Sequence, residues 1–381
     1  MEKEELLSKT ISSLRFPLTA FVVLTHFNLA RNGFSIHGME YGVNHPVWYH
    51  AFIDFFSYAL PSITVQMFFF ISGFLFFYHC DFSGVVYKKK LKTRIRTLLV
   101  PFILWNIIAF LNMAWRLLPC LSSVFPNAYK TEFHFSFLRL FNTLFYNNRY
   151  NGILVSPMEE GVDIATIIPT PMDVPMWYVR DLMLMVLLAP VIYWLVSKTK
   201  GWFVVLVAVI WFFQFFPSGF YPIFFVTALF FFSWGAWYSI SRRNFVESMR
   251  RFRFAPLLYV PVALLDVIPN SLGCEIYVHN ASVLLGVVSA VVIASSLLEK
   301  GRVKVNQTLA NGSFFVYALH LLIMGDIAKV LFLTLRLQDD TLIMLGFNFL
   351  VPAVTYAVCM GLYIFLKRYL PPVCNILTGG R

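Results

Sequence analysis

The sequence predicts an all-α, polytopic membrane protein of about ten transmembrane helices, with both termini in the cytoplasm. Three observations predict it. Of 381 residues, 59% are hydrophobic and 18% aromatic, while only 13% are charged, roughly half the charged fraction of a soluble domain. Apolar runs recur along the whole chain between short polar stretches. Lysine and arginine are distributed unevenly: with the N-terminus inside, 22 of the 30 fall on the inner side, as the positive-inside rule requires. The net charge of +11 reflects that loop asymmetry and does not point to nucleic acid.

The expected spans are residues 14–29, 60–78, 98–118, 176–196, 202–216, 223–240, 255–267, 281–298, 313–333 and 341–366. Those starting at 202 and 255 are short for a crossing of about 20 residues. The first run follows a mixed acidic and basic stretch and no small-x-small site comes after it, so it reads as an uncleaved first span. The longest stretch between spans, 119–175, is expected outside, with acids Glu159, Glu160 and Asp163. Within it Phe133–Tyr146 carries apolar residues at helical spacing around Arg139, which suits a helix lying in the interface. The chain 1–381 reads as a single membrane domain with no appended extracytoplasmic domain. Five cysteines, at 80, 120, 274, 359 and 374, lack metal-ligand spacing. Cys120 and Cys274 both fall on the expected outer side, either paired or as two thiols. No metal site is expected.

Ionisable residues within apolar sequence are the functional candidates, because they are costly in a bilayer and normally face a cavity or partner. Arg15 and His26 lie in the first span. Eleven helical steps come to about 1100°, only ~20° from three full turns, with a rise of ~16 Å. The two therefore share one stripe at two depths, Arg15 toward the cytoplasm and His26 toward the outer half. Pro17 suits a first-turn position and marks the expected helix start. An imidazole titrates near neutrality, so His26 is a candidate general base or acid.

Next comes the run Lys88 to Arg96, six cations ahead of Leu98–Pro101. As a topology determinant it would meet anionic lipid; as a binding site, Arg94 and Arg96, with Lys92, would hold phosphate groups. In Gln66–Leu75, Ser72-Gly73 permits close helix approach, and no Gly-x-Ser-x-Gly elbow makes Ser72 a nucleophile. Pro175–Leu182 brings Trp177, Arg180 and Asp181 into an outer membrane half. Neighbours on a helix point ~100° apart, so either charge is free to pair across helices, with His26 one partner at similar depth. His320, in Ser313–His320, lies about two turns into a span that starts inside, so it is expected nearer Arg15 than the outer surface; Asp326 follows. These residues leave three readings open: an enzyme, a transporter or flippase with a polar path through Arg15, His26, Arg180, Asp181 and His320, and a structural or sensory protein.

Taken in order, the motifs resemble those of the acyltransferase-3 family, integral-membrane O-acyltransferases of bacterial surface glycans. The matching elements are Arg15-x10-His26, Phe68-Phe69-Phe70-Ile71-Ser72-Gly73-Phe74-Leu75, the basic run into Leu98-Leu99-Val100-Pro101-Phe102, and Ser313-Phe314-Phe315-Val316-Tyr317-Ala318-Leu319-His320. Trp177-Tyr178-Val179-Arg180-Asp181-Leu182 is similar to the segment in members acting on polysaccharides. Many members carry Arg-x-x-Arg before the third span, whereas here the cations run Lys92-x-Arg94-x-Arg96. The resemblance implies a multi-pass protein of the inner (cytoplasmic) membrane with no bound cofactor. It also implies acyl-CoA, by default acetyl-CoA, as cosubstrate. Arg15, Arg94, Arg96 and Lys92 would bind that donor, and His26 with Arg15 would serve catalysis. Trp177, Arg180, Asp181, His320 and Ser72 would support the acceptor side, where a glycan or lipid-linked saccharide arrives. A pantetheine arm of about 20 Å would carry the thioester along the stripe.

Overall fold

The computed structural model describes residues 2–36, 38–117, 132–148, 150–155, 169–215, 222–268 and 275–380. Cys120, Cys274, Glu159, Glu160 and Asp163 lie outside them. The described chain is almost wholly helical. Seven helical segments are long and apolar enough to cross a membrane: Lys3–Asn32, Val47–Phe77, Gly84–Ala114, Val174–Lys198, Glu275–Glu299, Gln307–Thr334 and Thr341–Tyr369. Three shorter apolar helices, Trp202–Phe213, Phe225–Ile240 and Ala255–Leu265, fall where the remaining expected spans were placed.

α1 (Lys3–Thr25) begins well before the apolar run. Pro17 therefore lies inside the helix, not at its first turn, which corrects the expectation from sequence. Leu6, Leu7, Ile11 and Leu14 are buried, so the amphipathic N-terminal turns pack against the bundle and the helix nucleates early. A short turn, α2 (Leu29–Asn32), follows, capped by the Asn28 side chain on the Arg31 amide. The hairpin β1 (Phe34–Ile36) with β2 (Met39–Tyr41) comes next. Phe34 sits among Phe27, Phe332 and Phe347 at ring separations of 6.2, 5.6 and 5.5 Å, so the hairpin covers the end of the bundle where α1 stops.

α3 (Val47–Asp54) runs through a π-helical turn, Phe55–Ala59, and a 3-10 turn into α4 (Thr64–Phe77). The basic run forms α5 (Gly84–Arg94), joined by a second π-helical turn, Ile95–Leu99, to α6 (Val100–Ala114). The expected interfacial helix is α7 (Phe137–Phe145); its Phe137 and Leu138 are exposed, as an apolar stripe lying on a bilayer would be. The remaining helices are α8 (Trp177–Lys198), α9 (Trp202–Phe213), α10 (Pro222–Ile240), α11 (Phe245–Arg250) and α12 (Ala255–Leu265). They are followed by α13 (Glu275–Glu299), α14 (Gln307–Thr334), α15 (Thr341–Tyr369) and α16 (Pro371–Thr378).

α1 is the inner helix, packed on α4, α13, α14 and α15. The tightest seam joins α4 to α10. A methyl group on Gly73 would sit 2.0 Å from the Phe232 carbonyl oxygen, and one on Gly235 would sit 1.9 Å from that of Phe70. Two glycines thus let two backbones touch, which is how helices associate where lipid removes the hydrophobic drive between them. Large apolar side chains such as Val191, Leu206, Leu257 and Leu362 stay exposed on the outer surface of the bundle; such a girdle suits lipid, not water.

Candidate functional site

The stripe predicted for α1 meets a cavity of about 380 Å³. α1 contributes Arg15 and Thr19 to its wall, α4 contributes Ser72, α5 Arg94, α8 Tyr178 and α14 Tyr317. Each lies there for a local reason. Arg15 and Thr19 are one turn apart on α1. Arg94 closes α5 and shares a face with Leu98 across the π-helical turn; both line the cavity. Lys92 and Arg96 point elsewhere and are exposed, so of the three cations spaced at 92, 94 and 96 only the middle one reaches the wall. Among the described residues neither Arg15 nor Arg94 forms an ion pair, and the guanidinium of Arg94 lies 6.0 Å from the Phe76 ring centroid. Two guanidiniums without an ion-pair partner, part-buried in a cavity that also carries hydroxyls, have the chemistry to meet an anion.

Hydroxyls stand among the apolar side chains of the wall. Ser72 Oγ and the Tyr178 hydroxyl are 3.1 Å apart, so Ser72 does more than let helices approach. The Tyr317 hydroxyl donates to the Pro175 carbonyl, which pins α14 to the turn that opens α8. Sequence reasoning passed over Tyr178 and Tyr317. The signal was present, since both lie inside the motifs singled out, Tyr178 beside Trp177 and Tyr317 one turn before His320.

His26 is the C-cap of α1 and is half-buried. Its ring lies 5.2 Å from that of His320, which is fully buried. This corrects the expectation that His320 would lie nearer Arg15. α14 starts at Gln307, earlier than the apolar run implied, so His320 sits about 20 Å into the helix at 1.5 Å per residue, level with the far end of α1. His320 Nδ1 donates to the Tyr317 carbonyl at 2.7 Å and lies 3.2 Å from that of Val316. A carbonyl only accepts, so the proton is on Nδ1. Nε2 is buried without a hydrogen-bond partner and presents a lone pair.

Arg180 and Asp181 form a separate buried pair. Arg180 Nε meets Asp181 Oδ1 at 2.9 Å, and Nη1 donates to the Phe145 and Pro169 carbonyls at 2.8 and 3.3 Å. The two neighbours, which the helical offset left free to pair across helices, pair with each other because the long arginine side chain folds back. Trp177 packs near Phe69, with ring centroids 6.4 Å apart. Asp326 is taken by Arg116 at 2.7 Å. No cluster of potential metal ligands occurs among the described residues.

A helical bundle of membrane-spanning segments around a cation-lined cavity, with an imidazole pair beyond it, defines a multi-pass membrane protein with an internal site. A family model described as an acyltransferase domain, of the acyltransferase-3 type, matches residues 10–366, and the chain belongs to that family. It is a membrane acyltransferase. No curated protein and no solved structure matches it.

Proposed function

We propose that this chain is a ten-span O-acyltransferase of the inner membrane, both termini cytoplasmic, that moves an acetyl group from cytosolic acetyl-CoA to a hydroxyl of a surface or lipid-linked glycan on the outer side. The observation that carries the reading is the axis from the Arg15–Arg94 cavity to the His26–His320 pair. A coenzyme A donor is a polyanion at one end and a thioester at the other, about 20 Å away by chain reach. The stripe separates a cationic mouth from an imidazole by about 16 Å.

In this reading Arg15 and Arg94 hold the donor's phosphates, with Lys92 and Arg96 contributing to the field at the mouth. The hydroxyls of Ser72 and Tyr178 line the path of the pantetheine arm. The acceptor O–H gives its proton to the His26 imidazole while its oxygen bonds to the thioester carbonyl carbon. The carbon–sulfur bond then breaks, and the leaving thiolate recovers the proton from His26. His320, whose ring lies 5.2 Å from that of His26, supplies a neutral polar neighbour to the charged form of His26 during that step. Trp177, Arg180 and Asp181 shape the acceptor side from α8.

The test uses full-length protein in nanodiscs with labelled acetyl-CoA, and mass spectrometry of surface glycans with and without the gene. The expected result is an ester lost with the gene and restored by the wild type but not by His26→Ala. Glycans of unchanged mass, or full activity in His26→Ala, would overturn the assignment.

A further inference from the structure

A row of side chains stands where α2, α3, α12 and α13 meet, just past His26, and the site above does not use it. Arg31 lies over the Tyr58 ring with its guanidinium carbon 3.6 Å from the centroid. On the ring's other neighbour, His279, the stack is nearly parallel, at 5.2 Å and 27°. Two carboxylates back the row. Asp54 Oδ1 accepts from Arg31 Nε at 2.8 Å and from Asn28 Nδ2 at 2.8 Å; Asp266 Oδ2 lies 2.9 Å from His279 Nδ1. Asn28 is two residues beyond His26, so the row is tied to the backbone that carries that imidazole. The Leu29 amide donates to Asn348, which in turn donates to Ser57 in the same π-helical turn as Tyr58.

We infer that this Arg31–Tyr58–His279 row is the subsite that receives a neutral, hydroxyl-rich saccharide, the acceptor in the reading proposed above, on which the inference rests. Three features argue for it. First, the polar edges are oriented in advance. Asp266 as a carboxylate only accepts, so His279 carries its proton on Nδ1 and turns Nε2 outward; Arg31 meets Asp54 through Nε, and its guanidinium carries further N–H donors beside the Tyr58 ring. Second, the row is partly open, with side-chain exposures of 45% for Arg31 and 23% for His279, while Asp266 behind is 3% exposed. Third, one guanidinium faces two carboxylates, so the row is not cationic. That disfavours a phosphate or pyrophosphate and favours vicinal hydroxyls, which both donate and accept. The row also lies beyond the C-terminal end of α1, whereas Arg15 sits near the middle of that helix, so donor and acceptor would approach His26 from different directions.

The experiment takes full-length protein in nanodiscs and oligosaccharide prepared from de-esterified surface polysaccharide of the producing cell. Binding of the oligosaccharide and of acetyl-CoA is measured separately, for wild type, Tyr58→Phe, His279→Gln and Arg31→Gln. Tyr58→Phe keeps the stack and removes only an oxygen, and the affinity for acetyl-CoA measured beside it separates a lost saccharide contact from a disturbed fold. Expected are a fivefold or greater loss of oligosaccharide affinity in the variants and unchanged affinity for acetyl-CoA. Wild-type protein that does not bind the oligosaccharide overturns the inference, as do variants that bind like wild type. If wild type binds the oligosaccharide through the row but transfers no acetyl group to it, the inference stands and the donor reading fails. Equal weakening by inorganic pyrophosphate competition would overturn the neutral-saccharide assignment in favour of an anion site.

Discussion

The His26 and His320 rings lie 5.2 Å apart with their planes tilted by 44°, and His320 Nδ1 is committed to backbone carbonyls of its own helix. One imidazole is thereby fixed in tautomer while the other, at the C-cap of α1, is half-buried. Chemistry at the pair should depend on both rings unequally.

His26→Ala is expected to lower acetyl transfer by about 100-fold or more, with insertion and folding retained. His320→Gln should lower the rate without weakening acetyl-CoA binding, because His320 does not line the Arg15–Arg94 cavity. Initial rates with labelled acetyl-CoA, read beside donor affinity, check both. A His320→Gln enzyme with wild-type turnover would remove His320 from the step.

Among the cations, the geometry predicts a ranking. Arg15→Ala and Arg94→Ala should each weaken acetyl-CoA binding by about tenfold, the worth of a charge-assisted hydrogen bond. Lys92→Ala and Arg96→Ala, on exposed side chains, should change it by less than about twofold at physiological salt. Calorimetry on the four variants decides. Equal losses at Arg94 and Arg96 would move the anion site onto the open face of α5.

The α4–α10 seam should be intolerant of any side chain. Gly73→Ala or Gly235→Ala drives a methyl group into a carbonyl oxygen, so backbones must separate, at a cost of about 1–3 kcal/mol or more. A lowered unfolding temperature in detergent is expected for each. A variant as stable as wild type would show that the helices pack less closely.

Arg180 and Asp181 are both buried and paired. Asp181→Ala breaks a buried ion pair, which typically costs about 3–5 kcal/mol. The protein is expected to lose stability or yield before any effect on donor affinity can be read. Asp181→Asn, which keeps an acceptor, should be milder.

Orientation is tested by labelling single cysteines in a cysteine-free background. Arg243→Cys should react from the cytoplasmic side and Met39→Cys, on the exposed hairpin strand, from the outside. Both positions are exposed. The opposite pattern would invert the proposed topology and with it the side from which the donor arrives.

The sequence by itself determined what composition and helical periodicity can carry. A chain with apolar runs this long and so few charges had to be a helical membrane protein, because a helix satisfies its own backbone bonds in lipid, whereas the strands of a membrane barrel alternate apolar with polar residues. The Arg15–His26 stripe was equally fixed, since positions eleven apart on one helix share a face whatever surrounds them. Gly73 was legible as a close-packing residue for the same local reason. Tertiary structure alone decided which surfaces those residues meet. A run with cations on every face carries little signal of which side turns inward, so nothing local distinguished Arg94 from Arg96 as the cation that lines the cavity. Nor did hydropathy locate the start of α14, whose first turns are polar; that start sets the depth of His320 and brings it to His26. Arg180 folding back on Asp181, and the row from Arg31 to His279, likewise depend on packing between segments far apart in the chain, where contact geometry and not periodicity selects the partner.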